Sequence, residues 1–333
     1  MIFDGKRVLV TGGTGSLGQA IIRRILRGDE GRPKRLVVLS RDEAKQDAMR
    51  RELGEPLAFR LGDVRDFDSI AAALHATDVV INAAALKQVP SCEYAPYQAV
   101  LTNVVGAENI TRAIEQLDLP VESVVGVSTD KACKPVNTMG MTKALQERIF
   151  IQGNLRHPTT RFVCVRYGNV LASRGSVIPL FLDQVASGGP ITITTAEMTR
   201  FLLPLDEAVN TIFAALADAR RGEIYVPNAP SARVADIAAV LIGDRPIETR
   251  IVGIRPGEKV HEIMVSEEEI HRVHKRSRWF AVAPMLPELE PHASDGSLTS
   301  EFSSANGVLG KAEITRLLAT AALLPKGSSS ALG

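Results

Sequence analysis

Three cysteines in 333 residues, Cys92, Cys133 and Cys164, are too few and too scattered for a disulfide framework or a zinc knuckle. No CxxC spacing occurs, and the count points to a reducing compartment. No window holds 18 apolar residues in a row, so the pattern offers no transmembrane helix. An excess of one charge is also missing: the net charge is +1, with 23% of residues charged. Nothing in that balance asks for nucleic acid or an acidic surface as partner. There is no internal repeat. The first strand pattern, "RVLVTGG", begins at residue 7, which predicts no signal peptide ahead of it. The expectation is a cytoplasmic protein with no membrane insertion and no nucleic-acid partner. Its length suffices for a large core and two lobes.

What the chain does have is rhythm. Apolar runs at 7–10, 35–39, 57–61, 78–84, 123–128 and 161–168 read as buried parallel strands, because a sheet covered on both faces needs continuous apolarity. Between the first two, Ile21, Ile22, Ile25 and Leu26 recur at helical spacing, and Gly28 ends that helix. Such alternation means βαβ units and an α/β, Rossmann-like doubly wound parallel sheet. After about residue 170 the rhythm breaks. "VIPLFLDQVASGGPITIT" reads as helix, turn and short strand; "LDEAVNTIFAALADA" and "RVADIAAVLIGD" read as helices. The expected division is a dinucleotide-binding domain over 1–170, to which part of the later chain returns, and a smaller substrate-binding lobe over 171–325. The low-complexity tail 326–333 is expected to be disordered.

In "VLVTGGTGSLGQAII", Gly12, Gly15 and Gly18 directly follow a strand and open a helix. Glycines there allow a tight turn and close approach to a pyrophosphate, and the helix start supplies N–H groups and a positive dipole. Thr14, Ser16 and Leu17 share the turn. Binders of NAD usually end their second strand in an acid that holds the ribose 2′-hydroxyl. Here Ser40 and Arg41 stand in its place, with Lys45 one turn on. A hydroxyl and two cations suit a 2′-phosphate, so the pattern predicts NADP over NAD. The plainer alternative is that Arg41 and Lys45 are solvated charges. Asp63 and Val64, after the third strand, are expected at the adenine edge, and Ala83 and Ala84, ending the fourth, leave room for the cofactor.

The stretches "TGGTGSLG", "NAAALKQVP", "STDKACKP", "MGMTK", "RYGNVLASRGSVIPLF", "MTRFLLPLDEAV" and "IRPGEKVHEIM" occur in this order, from about residue 5 to 310. Together they resemble the extended short-chain dehydrogenase/reductases, and within them the UDP-N-acetylglucosamine 4,6-dehydratases of bacterial surface polysaccharide synthesis. The resemblance implies a lyase that oxidises C4 of the sugar, eliminates water across C5 and C6, and returns hydride to C6. It implies Asp130 as the acid at the C6 hydroxyl, Lys131 as the base at C5, Thr129 as their neighbour, and Lys143 at the nicotinamide ribose. Tyr167 is expected against the cofactor. Lys87, Asn169, Arg200, Arg255 and Glu258 are expected to hold a UDP-N-acetylhexosamine. Self-association is implied too, and the C5 configuration of the product stays open.

One departure stands out. Met139 occupies the position, four residues before Lys143, where a tyrosine usually serves as acid or base. Methionine moves no proton. Asp130 is therefore expected to take the C4 hydroxyl proton, directly or through Thr129 and a water. An Asp acts as acid only if its pKa is raised, and a Lys as base only if its pKa is lowered; burial does both, whereas a close Asp–Lys pair favours both charged forms. Two rivals remain: a UDP-sugar 4-epimerase, and a catalytically silent NADP-sensing regulator. His271 and His274 lack partners for a metal and read as a solvated helix face. No metal site is expected. Ser128 and Ser176 lack a nucleophile's elbow motif.

Overall fold

The runs expected to be strands form them, and five are largely buried; 57–61 is the exception, an edge strand only partly covered, with Leu61 62% exposed. The computed structural model describes residues 1–54, 56–171, 176–289 and 294–324. Its main sheet carries β1 (Arg7–Thr11), β2 (Arg35–Ser40), β3 (Leu57–Leu61), β4 (Val79–Asn82), β5 (Ser123–Val127) and β6 (Arg161–Val165), parallel and in the order 3-2-1-4-5-6. That is the doubly wound order, with its ligand crevice at the carboxyl ends of the strands. Helix α1 (Ser16–Arg27) buries Ile21, Ile22 and Ile25 and stops at Gly28 in the left-handed conformation. It packs with helix Leu205–Asp218, while helices Phe67–Leu74, Gly106–Gln116 and Thr138–Arg156 form a second packed group.

Three strands end short of their apolar runs. Ala83 and Ala84, Ser128, and Arg166 to Gly168 lie beyond β4, β5 and β6, in loops over the carboxyl edge. Chain returning from beyond residue 170 completes the sheet: Ile224–Pro227 pairs parallel with β6, then Trp279–Val282 and Val273–Arg276 pair antiparallel. This corrects one expectation. His271 lies in the 3-10 turn Ile270–Arg272 and His274 in an edge strand, not on a helix face. The reason is backbone pairing: Val273 to Arg276 lie opposite Val282 to Trp279, and that ladder, not a face pattern, fixes the strand and its register, with Val273 buried at its start.

A second core gathers Ile178, Phe181, Ile191, Leu202, Ile237, Leu241, Ile314 and Leu318, from the chain read as the smaller lobe. Helix Leu205–Asp218 is an exception: its Val209, Ile212 and Phe213 belong to the core of the main sheet. The expected tail, 326–333, lies outside the described residues, as do 172–175 of the "RYGNVLASRGSVIPLF" stretch. No helix among the described residues is long and apolar enough to cross a membrane.

Arg166, the first residue past β6, is 2% exposed. Its Nε and Nη2 donate to Glu147 at 3.1 and 2.7 Å, and its Nη1 and Nη2 to Glu269 at 2.8 and 3.1 Å. A fifth bond reaches the Met264 carbonyl at 2.9 Å. Glu147 lies on helix Thr138–Arg156 and Glu269 in the late chain, so one guanidinium ties three segments together. Removing it strands two buried carboxylates. Arg166→Met is expected to lower unfolding free energy by about 3–5 kcal/mol, measured by urea denaturation, and adding Glu147→Gln and Glu269→Gln is expected to restore much of the loss.

Candidate active site

One cavity of about 750 Å³ lies at the carboxyl edge of the sheet. Every residue expected from the sequence to bind cofactor or substrate or to act in catalysis lines it except Asp130.

The dinucleotide cradle is built first. Gly12 has φ +65, and a Cβ there would stand 2.7 Å from the backbone nitrogen of Ala84. The loop after β4 therefore lies directly on the turn after β1, an approach only glycine permits. Gly15, the N-cap of α1, offers no side chain, so no cap covers the first-turn N–H groups at Ser16, Leu17 and Gly18. Uncapped donors at a helix start fit a pyrophosphate. At the end of β2, the buried Gln46 donates its amide to the carbonyls of Ser40 and Arg60 at 2.9 and 2.7 Å, and to Ser40 Oγ at 3.1 Å. Arg41 is exposed, and Lys45 is paired with Asp42, which caps the following helix. Asp63 is held by Arg65 through Nε at 2.8 Å and Nη2 at 2.6 Å.

The acid–base groups follow β5. Asp130 is 0% exposed. Its Oδ1 accepts from Thr129 Oγ1 at 2.9 Å and Lys131 Nζ at 3.0 Å, while its Oδ2 has no partner among the described residues. A Cβ on Gly168 would stand 3.1 Å from that Oδ2. Lys131 Nζ also meets Glu262 Oε1 at 2.9 Å, and Arg200 Nε approaches the same oxygen at 3.8 Å. The opposition between burial and pairing resolves differently at each group. Burial pushes the Asp130 carboxyl up, against the pull of Lys131. Burial would push Lys131 down, but the carboxylates of Asp130 and Glu262 overcome it and hold the amine above its ordinary value. Glu262 is held low by Lys131 and Arg200 in spite of its own burial.

Helix Thr138–Arg156 faces the same cavity. Met139 is 4% exposed, packed with Cys92 and Ala99. One turn on, Lys143 Nζ donates to the Val127 carbonyl at 2.9 Å and Gln146 Oε1 at 2.8 Å, and burial lowers it to about 8. Burial pushes the Tyr167 phenol up, away from the range of a base near neutral pH.

A family described as "Polysaccharide biosynthesis protein" matches residues 8–284. The chain belongs to this polysaccharide biosynthesis family. A relative from Methanocaldococcus jannaschii, named an uncharacterized membrane protein, is 43% identical over 294 residues, 85% of this chain and 87% of that one. A relative from Rickettsia conorii, named UDP-glucose 4-epimerase, is 45% identical over 275 residues, covering 81% of this chain and 80% of that one. Among solved structures, Pen from Bacillus thuringiensis superposes with a TM-score of 0.90 at 31% identity, covering 98% of this chain and 100% of that one.

The expected substrate residues line the same cavity, and some are engaged within the protein. Lys87 lines the cavity, and Asn169 Oδ1 is buried without a partner among the described residues. Arg200 spends its Nη groups on the carbonyls of Thr199, Val260 and Lys259, at 2.7, 3.2 and 3.0 Å. Glu258 Oε2 accepts from the Arg255 backbone at 3.2 Å and Thr194 Oγ1 at 3.4 Å. Sequence reasoning missed three lining or supporting residues. Thr102 lines the cavity with a buried Oγ1 that has no partner among the described residues, in a π-helical turn over Val100–Val105. Such turns recur at functional sites, but no composition signal marks them. Gln46 reads as an ordinary helix residue. Glu262 lies inside the quoted "EKVHEIM" stretch, where only Glu258 drew attention. Among the described residues no His, Cys, Asp and Glu group is arranged to hold a metal ion.

Lys143 is charged below about pH 8 and neutral above it. A charged amine attracts an anionic dinucleotide and a neutral one does not. Dinucleotide affinity, followed by calorimetric titration, is therefore expected to weaken as pH rises from 7.5 to 9 or so. Lys143→Met is expected to bind more weakly and to lose that dependence.

Proposed function

We propose that this chain is a UDP-N-acetylglucosamine 4,6-dehydratase that works with NADP in surface polysaccharide or glycan synthesis. One observation carries the reading: a buried Asp130–Lys131–Glu262 cluster meets the cavity beside Met139, a residue that cannot move a proton. Dehydration needs a proton taken from the C4 hydroxyl, one taken from C5, one given to the departing C6 hydroxyl, and one returned to C5, from Lys131 in this reading, as hydride reaches C6. A 4-epimerase needs only the first and has no use for such a cluster. When bound, the dinucleotide supplies a hydride acceptor at C4 and a hydride donor at C6.

The chain's own residues handle the protons. A carboxyl whose proton affinity is raised by burial suits a group that takes the C4 hydroxyl proton and later yields it at C6. Asp130 does not line the cavity, but Thr129 does, and its Oγ1 stands 2.9 Å from Asp130 Oδ1. In this reading the proton passes through Thr129, and Lys131 is the base at C5. Each proton gained by Asp130 weakens its hold on the Lys131 cation, so the C4 step readies Lys131 for the C5 step. Lys143 holds the ribose hydroxyls. Asn169, Arg255 and Glu258 hold the UDP, while Arg200, its Nη groups engaged with main-chain carbonyls, lends charge to the wall rather than a diphosphate fork.

The choice of NADP rests on Ser40. Gln46 donates to its hydroxyl oxygen, so the Ser40 O–H is left to donate outward, and a phosphate is an acceptor. Arg41 and Lys45 add charge, each already facing a carboxylate, Asp63 at 3.8 Å and Asp42 respectively. The same proposal includes a division near residue 170, a cytoplasmic location and self-association. Exposed Met141 and Leu145, one turn apart on a helix, support the last.

The name of the Rickettsia relative favours a second reading, a UDP-sugar 4-epimerase. Incubation with UDP-N-acetylglucosamine separates the two by mass and NMR of the product. Loss of one water supports the dehydratase. Unchanged mass with C4 inverted supports the epimerase, and no change supports a silent sensor. Thr129→Val is expected to lower turnover by roughly 10²-fold or more, the scale of a lost proton-transfer group. Gln46→Leu is expected to erode the preference for NADP+ over NAD+ by about tenfold, the scale of one hydrogen bond; a wild-type preference for NAD+ contradicts the cofactor assignment.

A further inference from the structure

None of these roles uses Glu262. Yet it is 1% exposed, lines the cavity, and keeps Oε2 without a hydrogen-bond partner among the described residues. Its main chain is clamped on both sides: its N–H donates to Ser304 Oγ at 2.9 Å and its carbonyl accepts from Ser304 N at 2.8 Å. A carboxylate so buried is costly unless something nearby needs its charge.

The need is at Lys131. An ammonium has three N–H bonds to give. Two are committed, to Asp130 Oδ1 at 3.0 Å and to Glu262 Oε1 at 2.9 Å. The third is left for the cavity that Lys131 lines. Asp130 is the adjacent residue in sequence and so does little to fix where the long Lys131 side chain points. Glu262, 131 positions away, supplies the second point that fixes it.

We propose that Glu262 is a positioning residue: it holds the Lys131 amine in a fork opposite Asp130 and sets the pH at which that amine gives up its proton to act at C5. The C5 step rests on the dehydratase reading; the fork does not. The charged groups that face Lys131 are the Asp130 and Glu262 carboxylates and the Arg200 guanidinium. Lys259, whose Nζ donates to the Cys133 carbonyl at 2.7 Å, faces Lys131 as well as Asp130 and Glu262, and opposes the Lys131 charge. Two carboxylates at hydrogen-bond distance outweigh the Arg200 and Lys259 cations and favour the charged amine, and burial opposes it. Once Asp130 is protonated, Glu262 alone keeps the amine charged. Its distance from Nζ then decides how readily Lys131 becomes a base.

The test is a titration of Lys131 by NMR in protein carrying ¹³C-lysine, with the signal assigned by its loss in Lys131→Arg. In Glu262→Gln the midpoint is expected to fall by about one unit or more, a tenfold loss of proton affinity. Glu262→Asp keeps the charge but draws it back by one carbon, so its midpoint is expected between the two. The pH limb of kcat for water release is expected to move with the NMR midpoint, while KM stays near its wild-type value. A midpoint unmoved in Glu262→Gln, or in Glu262→Asp if the former does not fold, overturns the proposal. A moved midpoint in a protein that releases no water from UDP-N-acetylglucosamine supports the fork and removes only the dehydratase reading.

Discussion

The Arg166 guanidinium fixes the frame on which the cavity depends. It sits at the end of β6, directly before Tyr167, Gly168 and Asn169, all of which line the cavity. Through Glu147 it grips the helix that carries Met139 and Lys143. Through Glu269 and the Met264 carbonyl it grips the segment that carries Glu262. A planar donor with five N–H bonds can satisfy two carboxylates and a carbonyl at once, which a lysine cannot. Burial raises the stakes: away from water, an unpaired charge there is not tolerated. Three parts of the site thus come into register through one side chain that touches none of the expected ligands.

In front of that frame stands the smaller cluster of Asp130, Lys131, Glu262 and Arg200. Its chemistry follows from the balance of burial and charge. Asp130 is fully buried and has its proton affinity raised; Glu262 sits between two cations and stays low. Two carboxylates with separated proton affinities, sharing one amine, form a set in which each proton transfer changes the next. Met139 lines the same cavity as this set. Its contacts are apolar ones, with Cys92 and Ala99, and it closes the cavity wall.

The central sheet was legible because burial on two faces forces unbroken apolar runs, as in Leu36 to Leu39, and because Gly12 answers a backbone demand that no other residue meets. Strand Ile224–Pro227 was not legible: four residues ending in proline carry no period. Strand Val273–Arg276 hid behind three basic or histidine side chains, since an edge strand needs only one buried face. At the site, residue types were readable and their states were not. Sequence showed that Asp130 and Lys131 are adjacent; it did not show that Asp130 lies behind Thr129, nor that Glu262 completes the pair from across the chain. Both depend on contacts between segments that share no local pattern.

The central claim is that the proton chemistry lost at residue 139 runs through Asp130. A single-turnover experiment with Asp130→Asn tests it most directly, by following the absorbance of reduced nicotinamide after mixing enzyme, NADP+ and UDP-N-acetylglucosamine. The amide keeps the shape of the side chain but accepts no proton there. The account predicts that no reduced nicotinamide forms, because the C4 hydroxyl cannot release its proton. Formation of reduced nicotinamide at the wild-type rate would contradict it and assign the C4 proton to another group.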